Sequence, residues 1–277
     1  MPPYLQCGRF QLSLSKPLVM GILNLTPDSF SDGGRYTHLE TALSRAEQMI
    51  AEGVDIIDIG GESSRPGAVP LTLEEELERV MPVVYALQEC GKPLSIDTYK
   101  PQIMQEVLSA GADMINDING FRSAGAMSVV KKSDCALCIM HMQHEPQTMQ
   151  LQPQYDNVLE DVIAFLKERV NTMMQEGIAA NRLCVDPGFG FGKTVEHNLV
   201  LLKNIDTIEE HLQLPVLAGL SRKSTIGVLT GRPVEERMAG SVAAALAAVH
   251  NGARLVRVHD VAETVDALKV WNAAQKT

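Results

Sequence analysis

The chain has 277 residues, of which 45% are hydrophobic and 21% charged, with a formal net charge of −10. This composition fits a globular protein and excludes a disordered one, and the acidic balance argues against a general nucleic-acid binder. No apolar run is long enough to span a membrane, and no basic region precedes an apolar core at the N-terminus, so neither a signal peptide nor a membrane location is expected, and the protein is expected in the cytoplasm. Residues 1–16 read as a short strand or hairpin with Gly8 in its turn. Residues 18–25 are the first strong strand. It carries Asn24 and runs into a polar loop through Thr26, Pro27, Asp28, Phe30 and Gly33. A helix from about Thr37 places Leu39, Leu43, Ala46 and Ile50 on one face, with Gly53 as its stop. The next strand, 55–59, holds Asp58 and leads into a second loop with Ser63, Ser64, Arg65 and Pro66. Helix 72–90 has acids in its first turns, as the macrodipole prefers.

Strand 94–97 ends in Asp97, and Pro101 opens the following helix, where proline is tolerated. Strand 114–118 carries Asn116 and Asp117, and strand 136–142 ends in His141. After helix 156–176, a short apolar strand at 183–185 stops at Asp186 and Pro187. Gly188, Gly190 and Gly192 then alternate with Phe189 and Phe191. Glycine lets the backbone approach a ligand closely, and at least one of these phenylalanines is expected to face a ligand or cover a core. A helix from Thr194 follows, with Val195, Leu199, Leu202 and Ile205 as its apolar face. Strand 215–220 runs into Ser221, Arg222, Lys223 and Ser224. An alanine-rich helix spans 233–250. The last strand, 253–258, has Arg257 and His259 at its end, and helix 262–274 closes the chain.

Eight short apolar strands, nearly all followed by helices, suit a parallel sheet covered on both faces. No linker divides the chain. A single (β/α)8 TIM barrel over 1–277, preceded by the short N-terminal hairpin, fits the strand count and the usual length of about 250 residues. A doubly wound sheet is the alternative, but that fold more often has five or six strands. Cys135 and Cys138 form a CxxC near His141 and His144. On a strand, residues three apart point to opposite faces, and no second cysteine pair completes a zinc site, so the five cysteines read as reduced and mostly buried.

In such a barrel, ligands bind at the C-terminal ends of the strands. The polar residues there are Asn24, Asp58, Asp97, Asn116, His141, Asp186, Lys223, Arg257 and His259. Asp58 and His141 read equally well as turn or cap residues. Closure sets the last strand beside the first, so Arg257 and His259 approach Asn24. That group suits a phosphate or diphosphate with Mg²⁺, which prefers oxygen ligands and keeps several from water and phosphate. Asp97, Asn116, Asp186 and Lys223 form a second group, suited to a flat heterocycle with donors and acceptors on one edge. No Ser/His/Asp nucleophilic set stands out. One tryptophan and few other aromatics give poor support to a sugar-binding groove.

The segments MGILNLTPDSFSDGG, IIDIGGESSRPGA, LSIDTYKP, INDI, DPGFGFGKTVEHN, LSRKSTIG and RVHDV, in this order, closely resemble the bacterial dihydropteroate synthases. The resemblance runs from about Leu18 to the last helix. It implies a folate-pathway transferase that joins (7,8-dihydropterin-6-yl)methyl diphosphate to 4-aminobenzoate, with SN1-like loss of diphosphate, and that sulfonamides inhibit. Carried over by motif position, Asn24 would ligate Mg²⁺ while Arg257 and His259 hold the diphosphate. Asp97, Asn116, Asp186 and Lys223 would hold the pterin. Phe30, Ser64, Arg65, Pro66, Phe191 and Ser224 would surround the aminobenzoate. Asp97, Lys223, Arg257 and His259 are the expected catalytic residues. A homodimer through the alanine-rich helix is expected by the same analogy. The second loop departs from the pattern: Ser64 stands where threonine is usual, which keeps the hydroxyl and loses a methyl. His144 and Gln147 also stand where relatives often have glycine and arginine. A pterin-dependent methyltransferase would share the barrel but leave Asn24, Arg257 and His259 without a common task. A degenerate, non-enzymatic pterin-binding barrel would be expected to lack a strand-end residue, and none is missing.

Overall fold

The structure is a computed structural model that describes residues 1–25, 35–63, 67–144, 148–150 and 152–275, without the side chains of residues 35–37. An antiparallel hairpin of β1 (Tyr4–Cys7) and β2 (Phe10–Ser13) leads into the barrel. Among the described residues the barrel strands are β3 (Leu18–Asn24), β4 (Ile56–Gly60), β5 (Leu94–Asp97), β6 (Met114–Asp117), β7 (Ala136–Met140), β8 (Leu183–Asp186), β9 (Leu217–Ala218) and β10 (Leu255–Val258). All pair in parallel in the order β8-β7-β6-β5-β4-β3-β10-β9. The ring closes through the Val185–Val216 bridge and the bond from the Val185 N–H to the Pro215 carbonyl, at 3.0 Å. The (β/α)8 expectation is therefore met, hairpin included.

Ten α-helices are described: α1 (Arg35–Glu52), α2 (Leu73–Leu87), α3 (Pro101–Ser109), α4 (Ala126–Val130), α5 (Val158–Gln175), α6 (Val195–Lys203), α7 (Ile205–Leu212), α8 (Ser224–Thr230), α9 (Met238–His250) and α10 (Val261–Ala274). Their starts follow from local chemistry. Thr72 and Glu75 form a reciprocal capping box on α2, and Pro101 occupies the first turn of α3, where its missing N–H costs nothing. Among the described residues no helix is long and apolar enough to cross a membrane.

The strand period of two sorts side chains between two cores. Outward residues such as Ile57, Ile59, Ile96, Ile115, Leu137 and Val185 pack against the helices. Inward residues build a smaller plug of Leu18, Met20, Ile56, Met114, Ala136, Cys138, Cys184, Leu217 and Leu255, sealed from below by Leu5 and Cys7 of the hairpin. Full burial of one such aliphatic side chain is worth about 1.5–3 kcal/mol. Arg9 locks the hairpin on by donating Nε and Nη2 to the two oxygens of buried Asp113, at 3.0 Å each. Cys135 lies in the outer core and Cys138 in the plug, the opposite faces expected of the CxxC.

One expected face is wrong. Leu199 and Val200 of α6 are exposed, and Asn198 and Leu201 are the buried residues. The helix breaks at Asn204, so the period across Val195, Leu199, Leu202 and Ile205 does not describe one helix. Asn198 faces inward because it is a polar anchor. Its Oδ1 accepts from the Gly190 N–H at 2.8 Å, and its Nδ2 donates to Thr225 Oγ1 at 3.0 Å.

Candidate active site

Above the apolar plug the inward positions turn polar. The register places Asp58 beside Ser95, Asp97 beside Asn116, and Asp186 beside Met140. Asp58, at 0% exposure, is the hub of this layer. Its Oδ1 accepts from Ser95 Oγ at 2.6 Å, and its Oδ2 accepts from Arg257 Nε at 2.6 Å and Asn116 Nδ2 at 3.4 Å. Arg257 Nη2 donates to Asp97 Oδ2 at 2.8 Å. The guanidinium thus spans two carboxylates, a task for its planar fork that an ammonium cannot repeat. Arg257 therefore does not stand apart with His259 and Asn24: it links the two groups separated in the sequence reading.

Glycines keep space open between these groups. A Cβ at Gly60 would lie 3.6 Å from Asn24 Oδ1 and 3.7 Å from Asp97 Cβ. A Cβ at Gly219 would lie 3.7 Å from Lys223 Nζ and 3.8 Å from Asp186 Oδ2. Among the described residues the buried Asn116 Oδ1 has no hydrogen-bond partner. An orphaned acceptor at such depth costs free energy unless a ligand donor meets it.

The glycine-rich loop shapes the far wall. Asp186 Oδ1 accepts from the Gly188 N–H at 2.7 Å. Gly188 has φ of +73°, and a Cβ there would fall 1.8 Å from the His141 carbonyl oxygen, so no other residue fits. Phe189 is buried in the outer core, and Phe191 packs on Met140, Met142 and Met149, so both phenylalanines cover cores. The Lys223 ammonium donates to the Phe189 carbonyl and lies 4.7 Å from the centre of the Phe191 ring. Behind the loop, Lys193 is buried and donates to Phe191 O at 3.0 Å, with its Nζ 2.9 Å from His141 Nδ1. When Lys193 is protonated, Nδ1 accepts from it and the neutral His141 ring carries its proton on Nε2.

Burial tunes the charges. It pushes Asp97 up to about 7 against the pull of Arg257, with Asp58 adding to the rise. Asp186 is raised by burial and held back by Lys223 and the Gly188 N–H. Burial lowers Lys223 to about 8, which Asp186 opposes and Arg257 reinforces. Burial opposes the charge on Arg257, but Asp58 and Asp97 outweigh it and raise its pKa. His259 falls to about 4 through burial and the nearby Arg257 and Arg222. Its N–H donates to Ser221 Oγ at 3.1 Å, and its Nδ1 lies 3.0 Å from the same hydroxyl.

Residues 20–259 match the family described as pterin binding enzyme. The dihydropteroate synthase of Neisseria meningitidis serogroup B is 49% identical over 274 residues, covering 97% of this chain and 96% of that one. The chain belongs to the dihydropteroate synthases. They are transferases, and solved members superpose closely on this barrel. The Burkholderia cenocepacia enzyme, complexed with 7,8-dihydropteroate, has a TM-score of 0.89 at 53% identity and covers 99% of this chain and 97% of its own. The Xanthomonas albilineans enzyme with 4-aminobenzoic acid has a TM-score of 0.94 at 49% identity over the whole of both chains.

Of the residues singled out in the sequence, Asp97, Asn116, Asp186, Lys223 and Arg257 converge on the polar layer above the plug. Asn24 and His259 stand at its rim on β3 and just after β10, and Ser224 opens α8, exposed. Phe30, Ser64, Arg65 and Pro66 lie outside the described residues, as does Gln147. Asp58, Asn198 and Lys193 are site residues for which no role was expected from the sequence. Asp58 carried a usable signal: a lone acid two residues from Ile56 on one side and Gly60 on the other must share their inward face.

Proposed function

We propose that the chain forms 7,8-dihydropteroate and diphosphate from (7,8-dihydropterin-6-yl)methyl diphosphate and 4-aminobenzoate, acting in the cytoplasm as one pterin-binding domain over 1–277. The observation that carries this reading is the ring of Asp97, Asn116, Asp186 and Lys223 with its orphaned Asn116 oxygen. Asp97 and Asp186 accept hydrogen bonds from the amidine-like edge of the pterin, Asn116 Oδ1 takes one further donor, and Lys223 donates to a ring acceptor. Phe191 and Ser224, with Phe30, Ser64, Arg65 and Pro66, enclose the aminobenzoate.

Arg257 and the Nε2 of His259 bind the diphosphate end. Asn24 offers one neutral oxygen to Mg²⁺ beside the space that Gly60 leaves open. A single amide oxygen beside that space suits an ion that takes its other ligands from water and diphosphate. Bound there, Mg²⁺ would supply positive charge to the leaving group. The C–O bond breaks with its electron pair on diphosphate, and the ionised Asp97 stabilises the cation left on the pterin methylene. The arylamine lone pair then forms the C–N bond, and the nitrogen releases a proton. A neutral amine needs positioning rather than prior deprotonation, which explains the lack of a general-base pair.

The protonation states set a pH window. Asp97 must be charged and Lys223 protonated, so kcat/KM is expected to rise through pH about 7 and fall through pH about 8. A flat profile from pH 6 to 9 would remove both roles. Stability follows the opposite sense for Asp97: its raised pKa favours the fold below the ordinary carboxylate range, and that contribution is lost as pH rises through about 7.

Sulfonamides resemble 4-aminobenzoate in carrying an arylamine opposite an acidic group. They are expected to raise the apparent KM for aminobenzoate and leave kcat unchanged. Inhibition indifferent to aminobenzoate concentration would sink the arylamine-site assignment.

The protein is further proposed to act as a homodimer. Val228 and Leu229 on α8, Val234 in the turn after it and Met238 on the adjoining α9 are exposed apolar side chains. Leu229→Asp is expected to give monomers in sedimentation at micromolar concentration. An unchanged dimer would place the contact elsewhere.

A further inference from the structure

Lys223 reaches the pocket from a turn that breaks a local rule. The Lys223 N–H donates to the Leu220 carbonyl at 3.1 Å, closing a four-residue turn over residues 220–223. Its third residue, Arg222, has φ of +57°. That left-handed position favours glycine, because a Cβ crowds the backbone there. An arginine persists in it only if its surroundings over-determine the conformation.

The surroundings do so at every polar group of Arg222. Its N–H donates to Ser241 Oγ on α9 at 2.9 Å. Its carbonyl accepts from Arg237 Nη1 at 3.0 Å. Its guanidinium grips Asp260 in a two-point pair, Nε to Oδ2 at 3.1 Å and Nη2 to Oδ1 at 2.5 Å. Asp260 is 8% exposed and directly follows His259. The neighbouring Ser221 Oγ accepts from the His259 N–H. The turn before Lys223 and the segment after β10 are therefore bolted together at two consecutive residues on each side.

We infer that Arg222 is a positioning residue: held by Asp260, Ser241 and Arg237, it maintains the left-handed turn that presents the Lys223 ammonium to the pocket and keeps Lys223 in register with Arg257 and His259. The inference rests on reading that pocket as the pterin and arylamine site. Glycine could keep the positive φ without strain but would lose the clamp. Anchorage, and not backbone freedom, is what the site uses here.

Arg222→Gly separates these two. The first readout needs no substrate: titration of the Lys223 ammonium in protein labelled with ¹³C-lysine, assigned with Lys223→Arg. In the native protein desolvation lowers the pKa of Lys223, which faces Asp186, Asp97 and Arg257, to about 8. In Arg222→Gly it is expected to move up toward ordinary lysine as the ammonium leaves the pocket. The second readout is kinetic: kcat/KM is expected to fall on the order of 10²-fold, the effect of a misplaced group, and added guanidinium should restore part of it. A native Lys223 titration with native kcat/KM in Arg222→Gly would overturn the inference, and so would a lowered Tm with the titration unmoved. If Arg222→Gly does not fold, Arg222→Lys keeps the charge and loses the fork. It is expected to shift both readouts the same way, and native values in it would be equally fatal. A shifted titration in an enzyme whose wild type forms no dihydropteroate would uphold the positioning role and reject the proposed reaction instead.

Discussion

Arg257→Met should lower kcat/KM by roughly 10³-fold, the scale of removing one preorganised group that meets developing charge. The same change should lower stability by about 3–5 kcal/mol, the cost of stranding buried charge after one partner is lost. Both effects have one source. Arg257 donates to Asp58 and Asp97 at once, and Asp58 is fully buried. Without the guanidinium, the two carboxylates repel each other, with Asp58 fully buried. Asp97 would then hold its proton above the physiological range and could not stabilise a cation. Arg257→Lys keeps the charge but cannot span both acids, so it should recover stability better than activity. Steady-state kinetics beside urea unfolding checks the pair of effects. A stable Arg257→Met protein with native kcat/KM would show that the bridge is incidental.

The second large effect is expected at Gly188. Alanine there would bring its Cβ to 1.8 Å from the His141 carbonyl oxygen, with the backbone still at φ of +73°. The loop must move, and with it the N–H that caps Asp186 and the Phe189 carbonyl that receives Lys223. Activity should fall by about 10² or more, as for a site displaced by an ångström. Gly91, between α2 and β5, supplies the control. It has φ of +75° and, among the described residues, nothing within 4 Å of its Cβ position, so Gly91→Ala should cost only the intrinsic strain of about 1–2 kcal/mol. Equal losses in the two variants would mean that backbone strain, and not the contact with His141, governs the glycine-rich loop.

The contrast between these glycines shows which features were legible in the sequence. Strand order, the barrel and the hairpin followed from apolar periodicity and turn residues, which are local signals. Asp97, Asn116, Asp186, Lys223 and Arg257 were recognisable because each ends or follows an apolar strand, and a barrel brings all such ends together. The pairing of Arg257 with Asp58 was not legible: it crosses 199 residues of chain and depends on side-chain reach across the barrel. Asn198 was hidden for a related reason. A polar residue on the buried face of α6 breaks the apolar pattern, and only its bonds to Gly190 and Thr225 explain it. Lys193 directly follows the glycine-rich loop, and nothing local to it signals its burial against His141 and Phe191. The strained turn at Arg222 leaves no trace in the sequence at all, because glycine is the residue that normally marks such a turn.

The most direct test of the proposed reaction is diphosphate release from (7,8-dihydropterin-6-yl)methyl diphosphate with Mg²⁺, with and without 4-aminobenzoate. Release that requires enzyme and metal, with 7,8-dihydropteroate as product when the arylamine is present, is the expected result. Tight pterin binding with no diphosphate release under either condition would contradict it, and the grouping of Asn24, Arg257 and His259 around the leaving group would be the first assignment to fall.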